Sequence, residues 1–518
     1  MPIDIKIGNL SPLLPVFVLV ITALFMVLLD ALFTIGKKPL FQVSLGVIAT
    51  LISLILSVIF FPYTPFHIFG GALVADGFSA IVGIVVLVLL LLALPVFVDY
   101  FSKVKIKGVE YFPLLLFSSA GMMLLPMAQE LVSIIVVIEI LSVPLYILSG
   151  YNKYWEESKE AGFKYFLLGA FSSAFMIYGS ALIYGSAGSV WLKDISLNLP
   201  LVGEKFILFL GLGLLLVGFL FKLALVPFHA WVPDVYEGAP SPVVGFMAGA
   251  VKIALLSALL KLLLVAFILV IAYWEVLFFV LAILTMTLAN LWALHQMSLK
   301  RLLAYSSIAH IGFISVGFTQ ASSEVAVTML FYAITYAIAV LGAFAVISAW
   351  AHSKGDDIFL DDVQGLADVN PISALLLTIF LLSLAGIPVT AGFLAKLYLF
   401  YEVYRAGGLA IVTIAIINSI ISIYYYVRVV GAMYFPPAVS KLNLGEASVS
   451  NVPDEPLAPA SNLPRNPSTN QEEDETRPHL RKLDFPIMLV TMTCAILVIL
   501  LGVAPKLLLV LLSLYKVG

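Results

Sequence analysis

The chain has 518 residues, of which 62% are hydrophobic and 11% charged, and its mean hydropathy is +1.12, so the composition predicts a polytopic membrane protein. The net charge of −3 and the lack of a basic stripe with interleaved aromatic residues argue against a nucleic-acid partner. The single cysteine, Cys494, excludes an intrachain disulfide, an iron–sulfur cluster and a cysteine-rich zinc site, so we expect no cofactor and no metal site in this chain.

Apolar windows of about 20 residues recur along the chain, separated by short polar or Pro/Gly-containing breaks. They predict an all-α polytopic membrane protein with about 14 transmembrane helices. The segment "GLGLLLVG" at 211–218 lacks the GxGxxG spacing of a dinucleotide loop and indicates close helix packing. The predicted spans are 12–34, 39–61, 80–101, 111–127, 131–150, 161–185, 206–230, 241–271, 274–297, 302–320, 324–351, 371–401, 408–434 and 483–504.

The basic residues between these spans are unevenly distributed. The richer set is expected on the cytoplasmic side, so both termini should face outward across the cell inner (plasma) membrane or an equivalent energy-coupling membrane. The poorer side has mainly Lys193, Lys205 and Arg405. The richer side has Lys37, Lys38, Lys103, Lys105, Lys107, Lys153, Lys159, Lys164, Lys300 and Arg301.

One long polar insertion, residues 435–482, is rich in Pro, Ser, Asn and acidic residues. It has too little apolar surface to fold alone, and we predict a disordered cytoplasmic loop. A tolerated insertion and a docking segment for a partner subunit are the two alternatives for its role.

Ionisable residues inside predicted spans are the main functional signal. A lysine near the bilayer centre costs about 2.5 to 3.5 kcal/mol on insertion scales, and residues this costly usually line an ion or proton route. We therefore predict a proton-translocation site. Its candidate residues are Glu139, Lys222, Lys252, His310 and Lys396.

Two of the predicted spans, the seventh and the twelfth, contain helix-breaking residues beside a buried lysine. Pro227 follows Lys222, and the spacing predicts that Lys222 and His229 share a helix face. Gly386, Pro388 and Gly392 precede Lys396 in the segment "LAGIPVTAGFLAK". Matching interruptions indicate two repeats around a transport site. The predicted domains are helices 1–3 (1–110), two five-helix repeats (111–271 and 272–434), the loop (435–482) and a C-terminal helix with its tail (483–518).

The chemistry expected of the site is a lysine whose charge is conditional. A carboxylate about 4 Å from a buried ammonium stabilises it by about 4 kcal/mol at an effective dielectric of about 20. Movement of Glu139 relative to Lys222 would then make the lysine hold or release its proton.

Other ionisable residues have less specific interpretations. Lys261, nine residues after Lys252, is interpreted as a side chain extending to the interface, and Glu130 as interfacial. His310 has two interpretations, a hydrogen-bonded core histidine or a proton-path residue with Ser306 and Ser307 holding water beside it. Further candidates for a proton path or for proton uptake are His229, Asp234 and Glu237, although the two carboxylates equally fit a solvated turn.

Three long segments carry a family resemblance: "KYFLLGAFSSAFMIYGSALIYGSAGS" (164–189), "FKLALVPFHAWVPDVYEGAPSPV" (221–243) and "NLWALHQMSLKRLLAYSSIAHIGF" (290–313). From about residue 10 to 504 the chain closely resembles the antiporter-like membrane subunits of the proton-pumping NADH:quinone oxidoreductase, respiratory complex I. The resemblance implies fourteen helices, two inverted five-helix repeats with broken helices 7 and 12, and a central polar axis containing the five candidate residues. Lys396 differs from the glutamate of some members, and the 435–482 insertion departs from the compact pattern.

The resemblance also implies a function and partners. The chain is expected to be a non-redox subunit of a proton-translocating NADH:quinone oxidoreductase, among neighbouring antiporter-like and small membrane subunits in the lipid bilayer. Flavin, iron–sulfur clusters and quinone are expected on other subunits. The alternatives are a subunit of a multisubunit sodium/proton antiporter, a subunit of a ferredoxin-fed photosynthetic complex I, and a purely anchoring module.

Overall fold

The structure is a computed structural model that describes residues 7–33, 36, 38–106, 108–203, 205–351, 355–435 and 483–514. The predicted polar loop lies outside the described residues from position 436 to its end, so its conformation and role stay predictions.

Helices dominate the described part of the chain. Twelve of them are long and apolar enough to cross a membrane, and the chain is a multi-pass membrane protein. Two shorter apolar helices, Tyr111–Met127 and Pro371–Ala385, coincide with the fourth predicted span and the first part of the twelfth. The count of fourteen transmembrane helices and the domain boundaries remain predictions.

The α-helices are numbered in chain order. They are α1 (Leu14–Leu32), α2 (Pro39–Ile59), α3 (Gly77–Val104), α4 (Tyr111–Leu124), α5 (Leu131–Ser149), α6 (Glu156–Ala187), α7 (Leu192–Asn198), α8 (Lys205–Leu223), α9 (Trp231–Gly238), α10 (Ser241–Phe246), α11 (Lys252–Lys261), α12 (Ile271–Ala293), α13 (Leu299–Ser315), α14 (Ser323–Ala349), α15 (Leu366–Val369), α16 (Pro371–Ala385), α17 (Ala391–Arg405), α18 (Leu409–Tyr434), α19 (Phe485–Val503) and α20 (Lys506–Leu514).

A short β-hairpin is the exception to the predicted all-α fold. Strands β1 (Phe66–Ile68) and β2 (Leu73–Ala75) pair antiparallel. Gly70 and Gly71 between them have φ of 67° and 99°, which glycine adopts at low cost. The Gly-Gly pair between two short β-prone segments is a sequence signal for this hairpin, which the apolar periodicity did not predict.

Both predicted helix interruptions are confirmed. The first separates α8, which ends at Leu223, from α9, which begins at Trp231, and the Val226–Pro227 peptide between them is cis. The second separates α16 from α17, and Gly386 ends α16 with φ of 83°. Since the backbone from 224 to 230 is not helical, Lys222 and His229 do not share a helix face, and that prediction was wrong.

The centre of the bundle consists of α14 and the continuous span Ser241–Ala266, whose most apolar windows are buried throughout. A helix that is apolar on every side belongs in a protein interior. The span Ser241–Ala266 includes two π-helical segments, Met247–Val251 and Leu262–Ala266, on either side of α11. Lys252 and Lys261, the first and last residues of α11, are therefore charged groups on the innermost helical span.

Close backbone approach between α6 and α8 confirms the interpretation of "GLGLLLVG". A Cβ atom added to Gly211 would lie 2.9 Å from the carbonyl oxygen of Gly179. The two glycines therefore let the helices approach more closely than larger side chains would allow.

Candidate functional site

The lysine at the first helix interruption is enclosed by polar groups of α5. The Lys222 ammonium lies 2.5 Å from the hydroxyl of Tyr146 and 3.1 Å from that of Ser142, donating to both. Its nitrogen is 3.6 Å from Oε1 of Glu139, to which Ser173 of α6 donates a hydrogen bond. The predicted proximity of Glu139 and Lys222 is thus observed.

Three of these partners follow from helix geometry. Glu139, Ser142 and Tyr146 are spaced i, i+3 and i+7 along α5, so they lie on one face of that helix. Ser142 and Tyr146 were missed in the sequence reading, although polar side chains at this spacing from Glu139 in "EILSVPLY" were the available signal.

The two members of this ion pair differ in exposure. The Lys222 side chain is 2% exposed, whereas that of Glu139 is 34% exposed. The ammonium is therefore sealed inside the chain while its counter-ion contacts the surroundings. Any change beside the Glu139 carboxylate alters the field at Lys222, because the interaction energy varies with their separation.

Lys252 lies against α13. Its ammonium donates to the hydroxyl of Ser307 at 2.6 Å and to the Ser307 carbonyl oxygen at 2.7 Å. The ring of Tyr336 lies 5.4 Å from the nitrogen, and the Tyr236 hydroxyl of α9 is 3.3 Å from that of Ser307. Within the described residues no ion pair forms at Lys252, so neutral oxygens and a ring face surround this charge.

His310 is hydrogen-bonded through both ring nitrogens. Nδ1 is 3.0 Å from the Tyr332 hydroxyl, and Nε2 is 3.1 Å from the Tyr426 hydroxyl. Tyr426 also contacts the hydroxyl of Ser306, while Ser307 binds Lys252 instead. This satisfies the geometry of a hydrogen-bonded core histidine, and the connection from Ser306 to His310 runs through a tyrosine hydroxyl. Participation of His310 in proton transfer remains a prediction.

Lys396 lies at the second helix interruption. Its ammonium donates to the carbonyl oxygen of Ala385 at 3.0 Å, to that of Leu384 at 3.4 Å and to the Ser419 hydroxyl at 2.9 Å. These carbonyls belong to the end of α16, where partial negative charge favours a cation. The ring of Phe313 lies 4.9 Å from the nitrogen.

The other candidates form no contact shown above with Lys222, Lys252 or Lys396. His229 stacks on Trp292 with 4.9 Å between ring centroids. Asp234 pairs with Lys164 at 2.7 Å and with Arg301 at 3.4 Å. Glu237 pairs with Arg301 at 2.5 Å. The two carboxylates are thus engaged in ion pairs, and their role in proton uptake remains a prediction.

Two lysines differ from their sequence interpretation. Lys261 is buried inside the protein and does not extend into the surroundings at the helix end: it is 6% exposed and contacts Asp76. Lys300 is not a loop charge: it is fully buried, 2.8 Å from Asp356 and 2.9 Å from the Ala239 carbonyl oxygen. Asp356 also accepts hydrogen bonds from Tyr100 and Ser241. The residues next to Lys300 in the sequence do not reveal that its partner, Asp356, lies 56 positions away.

Comparisons with known proteins give a consistent match. The profile of the family described as "NADH:quinone oxidoreductase/Mrp antiporter, TM" matches residues 128–422. The NADH-quinone oxidoreductase subunit N of Trichlorobacter lovleyi is 44% identical over 371 residues, covering 71% of this chain and 76% of that protein. The NADH-quinone oxidoreductase subunit N of Methylobacterium nodulans is 37% identical over 438 residues, covering 84% of this chain and 90% of that protein.

A solved structure extends the similarity to the whole fold. A chain of respiratory complex I from Thermus thermophilus with bound aureothin aligns with a TM-score of 0.75 at 30% identity. The alignment covers 97% of this chain and 100% of that chain.

Proposed function

The chain belongs to the NADH:quinone oxidoreductase/Mrp antiporter transmembrane family, and from that premise we propose that it is a proton-translocating membrane subunit of an NADH:quinone oxidoreductase, respiratory complex I. The observation that carries the proposal is the Glu139–Lys222 pair at a broken membrane helix, with the lysine sealed and the carboxylate partly exposed. Intramembrane ionisable residues arranged in this way are typical of proton relays.

Lys222 is the proposed switch in the proton path. With Glu139 close, the ammonium is stabilised; when the driving event moves or neutralises the carboxylate, the buried lysine releases its proton. Ser142 and Tyr146 hold the nitrogen in place and offer hydroxyl oxygens on which a proton can pass. The driving event acts only if it stabilises one charge state of the pair more than the other.

The proposed path uses the other buried groups in order. Protons are taken up from the cytoplasmic side near His310 or Lys252, pass through hydrated contacts to Lys222 and Lys396, and leave outward as Glu139 shifts. Helix α13 supports a path that includes both lysines because Ser307 contacts Lys252 and Phe313 lies against Lys396. Among the described residues no direct hydrogen bond joins Lys222, or its partners Ser142 and Tyr146, to Lys252. Transfer of a proton from Lys252 to Lys222 therefore requires bridging water.

The proposal includes the assembly. Neighbouring antiporter-like and small membrane subunits would flank this chain in the bilayer of the cell inner membrane or its equivalent, with both termini outward. Flavin, iron–sulfur clusters and quinone would reside on other subunits, and this chain would take part in the enzyme without a redox step of its own. Support comes from relatives named as subunits of that enzyme.

The decisive experiment measures proton pumping and electron transfer side by side in membranes containing the complex with Lys222→Ala. We expect both rates to fall at least about tenfold, equivalent to about 1.4 kcal/mol of lost stabilisation, with assembly intact. Lys159→Ala is the matched control, since Lys159 is an exposed lysine paired with Glu156 on the surface. Pumping at the control level in Lys222→Ala would refute the proposal.

The family name also covers Mrp antiporters, which keeps a sodium/proton antiporter subunit as a second candidate. Transport that depends on sodium, in a preparation free of flavin and iron–sulfur subunits, would favour it. A purely anchoring role would instead leave the pumping stoichiometry unchanged after Lys222, Lys252 and Lys396 are all neutralised.

A further inference from the structure

A second ionisable pair lies on the central span and takes no part in the path described above. The Lys261 ammonium donates to the carbonyl oxygen of Pro126 at 2.7 Å and to Oδ2 of Asp76 at 3.3 Å. The lysine side chain is 7% exposed, whereas that of Asp76 is 24% exposed. A buried cation is thus paired with a carboxylate that contacts the surroundings.

Lys261 lies far along the span Ser241–Ala266, near the end opposite Ser241. Ser241, at the start of the span, contacts the buried Lys300–Asp356 pair. Lys261 follows Ser241 by 20 residues, which is about 30 Å of helix, close to the thickness of a bilayer's hydrocarbon core. Lys252 lies between them. Lys261 is therefore at the end of the span opposite Lys300.

Segments that connect or end apolar helices surround Asp76 at this end. Asp76 follows β2 directly and caps α3, accepting a hydrogen bond from the backbone N–H of Ser79. The segment containing Pro126 leads to Gln129, whose N–H bonds to the carbonyl of Ala72. Against the same segments lies a cavity of about 270 Å³ lined in part by His67, Gln129, Lys193 and Asp194. The cavity does not include Asp76 itself; it reaches Val74, two residues before Asp76, and gives water polar surface along the same segment.

We propose that Lys261 and Asp76 form the proton-release site on the side of the membrane opposite Lys300. A proton passes from Nζ of Lys261 to Oδ2 of Asp76: the N–H bond breaks, its electron pair stays on nitrogen, and an O–H bond forms. Asp76 then loses the proton to water. Lys261 regains one through water from the proposed path, after the proton has passed Lys222 and Glu139 has shifted; the member of that path on its own helix, Lys252, lies about 13.5 Å away along the axis.

This proposal rests on the proposed function and deepens it by naming the exit. Lys252 and Lys261 point to opposite faces of α11, toward Ser307 and toward Asp76. The connecting water must therefore pass around the helix. Of the surface charges on the neighbouring segments, Lys193 acts electrostatically on Lys261, and Lys193, Asp194 and His67 line the cavity beside them.

A purely structural role makes a different prediction. Lys261 also joins α11 to the Pro126 carbonyl, and a fixed cation would do this equally well. Arginine keeps the charge and the donors but does not deprotonate in proteins. Asparagine keeps the helix cap at position 76 and an acceptor for Lys261, but does not take up a proton. Lys261→Arg and Asp76→Asn therefore separate proton transfer from structural support.

The test reconstitutes the intact complex with each variant in liposomes and records pumping together with electron transfer. Lys205→Arg, at an exposed lysine on the same side, is the matched control. If the pair releases protons, pumping falls at least about tenfold in both Lys261→Arg and Asp76→Asn. Pumping at the control level in either variant overturns the release site, and Asp76→Asn alone decides if the larger arginine prevents assembly.

Lys222→Ala, measured in parallel, separates the two proposals. Loss of pumping in Lys222→Ala with normal pumping in Lys261→Arg and Asp76→Asn would overturn only the release site. Normal pumping in Lys222→Ala would overturn the proposed function itself.

Discussion

Each of the two interrupted helices has a buried lysine beside the break, but the groups that hold the two lysines differ. At the first, Lys222 is held by a carboxylate 3.6 Å away and by two hydroxyl groups. At the second, Lys396 is held by two carbonyl oxygens at the end of α16 and one hydroxyl, and within the described residues it forms no ion pair. The comparison shows a partly exposed carboxylate as the counter-ion of the first lysine and backbone dipoles as the partners of the second.

Their access to the surroundings also differs. Lys396 lines a cavity of about 450 Å³ between α17 and α18, together with Gly386, Phe393 and Ser419. Lys222 is 2% exposed and adjoins the surroundings through Glu139, whose side chain is 34% exposed. Lys222 is thus separated from the surroundings by a charged side chain, whereas Lys396 borders a cavity directly.

The largest effect should come from neutralising the carboxylate at the first site. Glu139→Gln keeps the size of the side chain and an acceptor for Ser173 but removes the charge that stabilises Lys222. We expect coupled electron transfer and pumping to fall about tenfold, since the pair is worth about 4 kcal/mol at full strength and Glu139 is partly screened. The control is Glu156→Gln, at an exposed glutamate. Equal activity in Glu139→Gln and Glu156→Gln would contradict the expected dependence of Lys222 on its carboxylate.

The two sites should differ in how much stability the subunit loses when the lysine is replaced by methionine. Lys222→Met leaves Glu139 without its cation, and we expect the subunit to lose about 1 to 2 kcal/mol, less than the about 3 to 5 kcal/mol of a fully buried pair. Lys396→Met leaves no unpaired carboxylate among the described residues, so its loss should be smaller. The measurement is the temperature at which the purified complex loses this subunit. A lower temperature for Lys396→Met than for Lys222→Met would reverse the comparison.

The smallest effect should follow from removing one hydroxyl at the second site. In Ser419→Ala the Lys396 ammonium retains the carbonyl oxygens of Ala385 and Leu384. One hydrogen bond is worth about 1 kcal/mol at most here, so pumping should change less than about fivefold. Ser422→Ala, three residues further along α18 and bonded to its own helix backbone, is the matched control. A loss in Ser419→Ala as large as in Glu139→Gln would show that Lys396 depends on this hydroxyl as strongly as Lys222 depends on its carboxylate.

Much of the fold was predictable because it follows from local properties of the chain. Runs of apolar residues of membrane-spanning length identify the helices, and Pro227 and Gly386 lie where the two interrupted helices break. The hairpin β1–β2 was missed because three-residue strands are too short to stand out beside helices of about 20 residues.

The sequence by itself determined that this chain spans a membrane, where its helices break, and that Lys222, Lys252, His310 and Lys396 are costly charges kept inside it, because insertion cost and helix termination depend on each segment alone. Only the tertiary structure decided which groups these charges meet. His229 turned toward Trp292 and Lys261 toward Asp76, 185 residues away, against both sequence interpretations. The reason is physical: a partner across helices is set by the rotation and packing of each helix, which nearby residues do not specify.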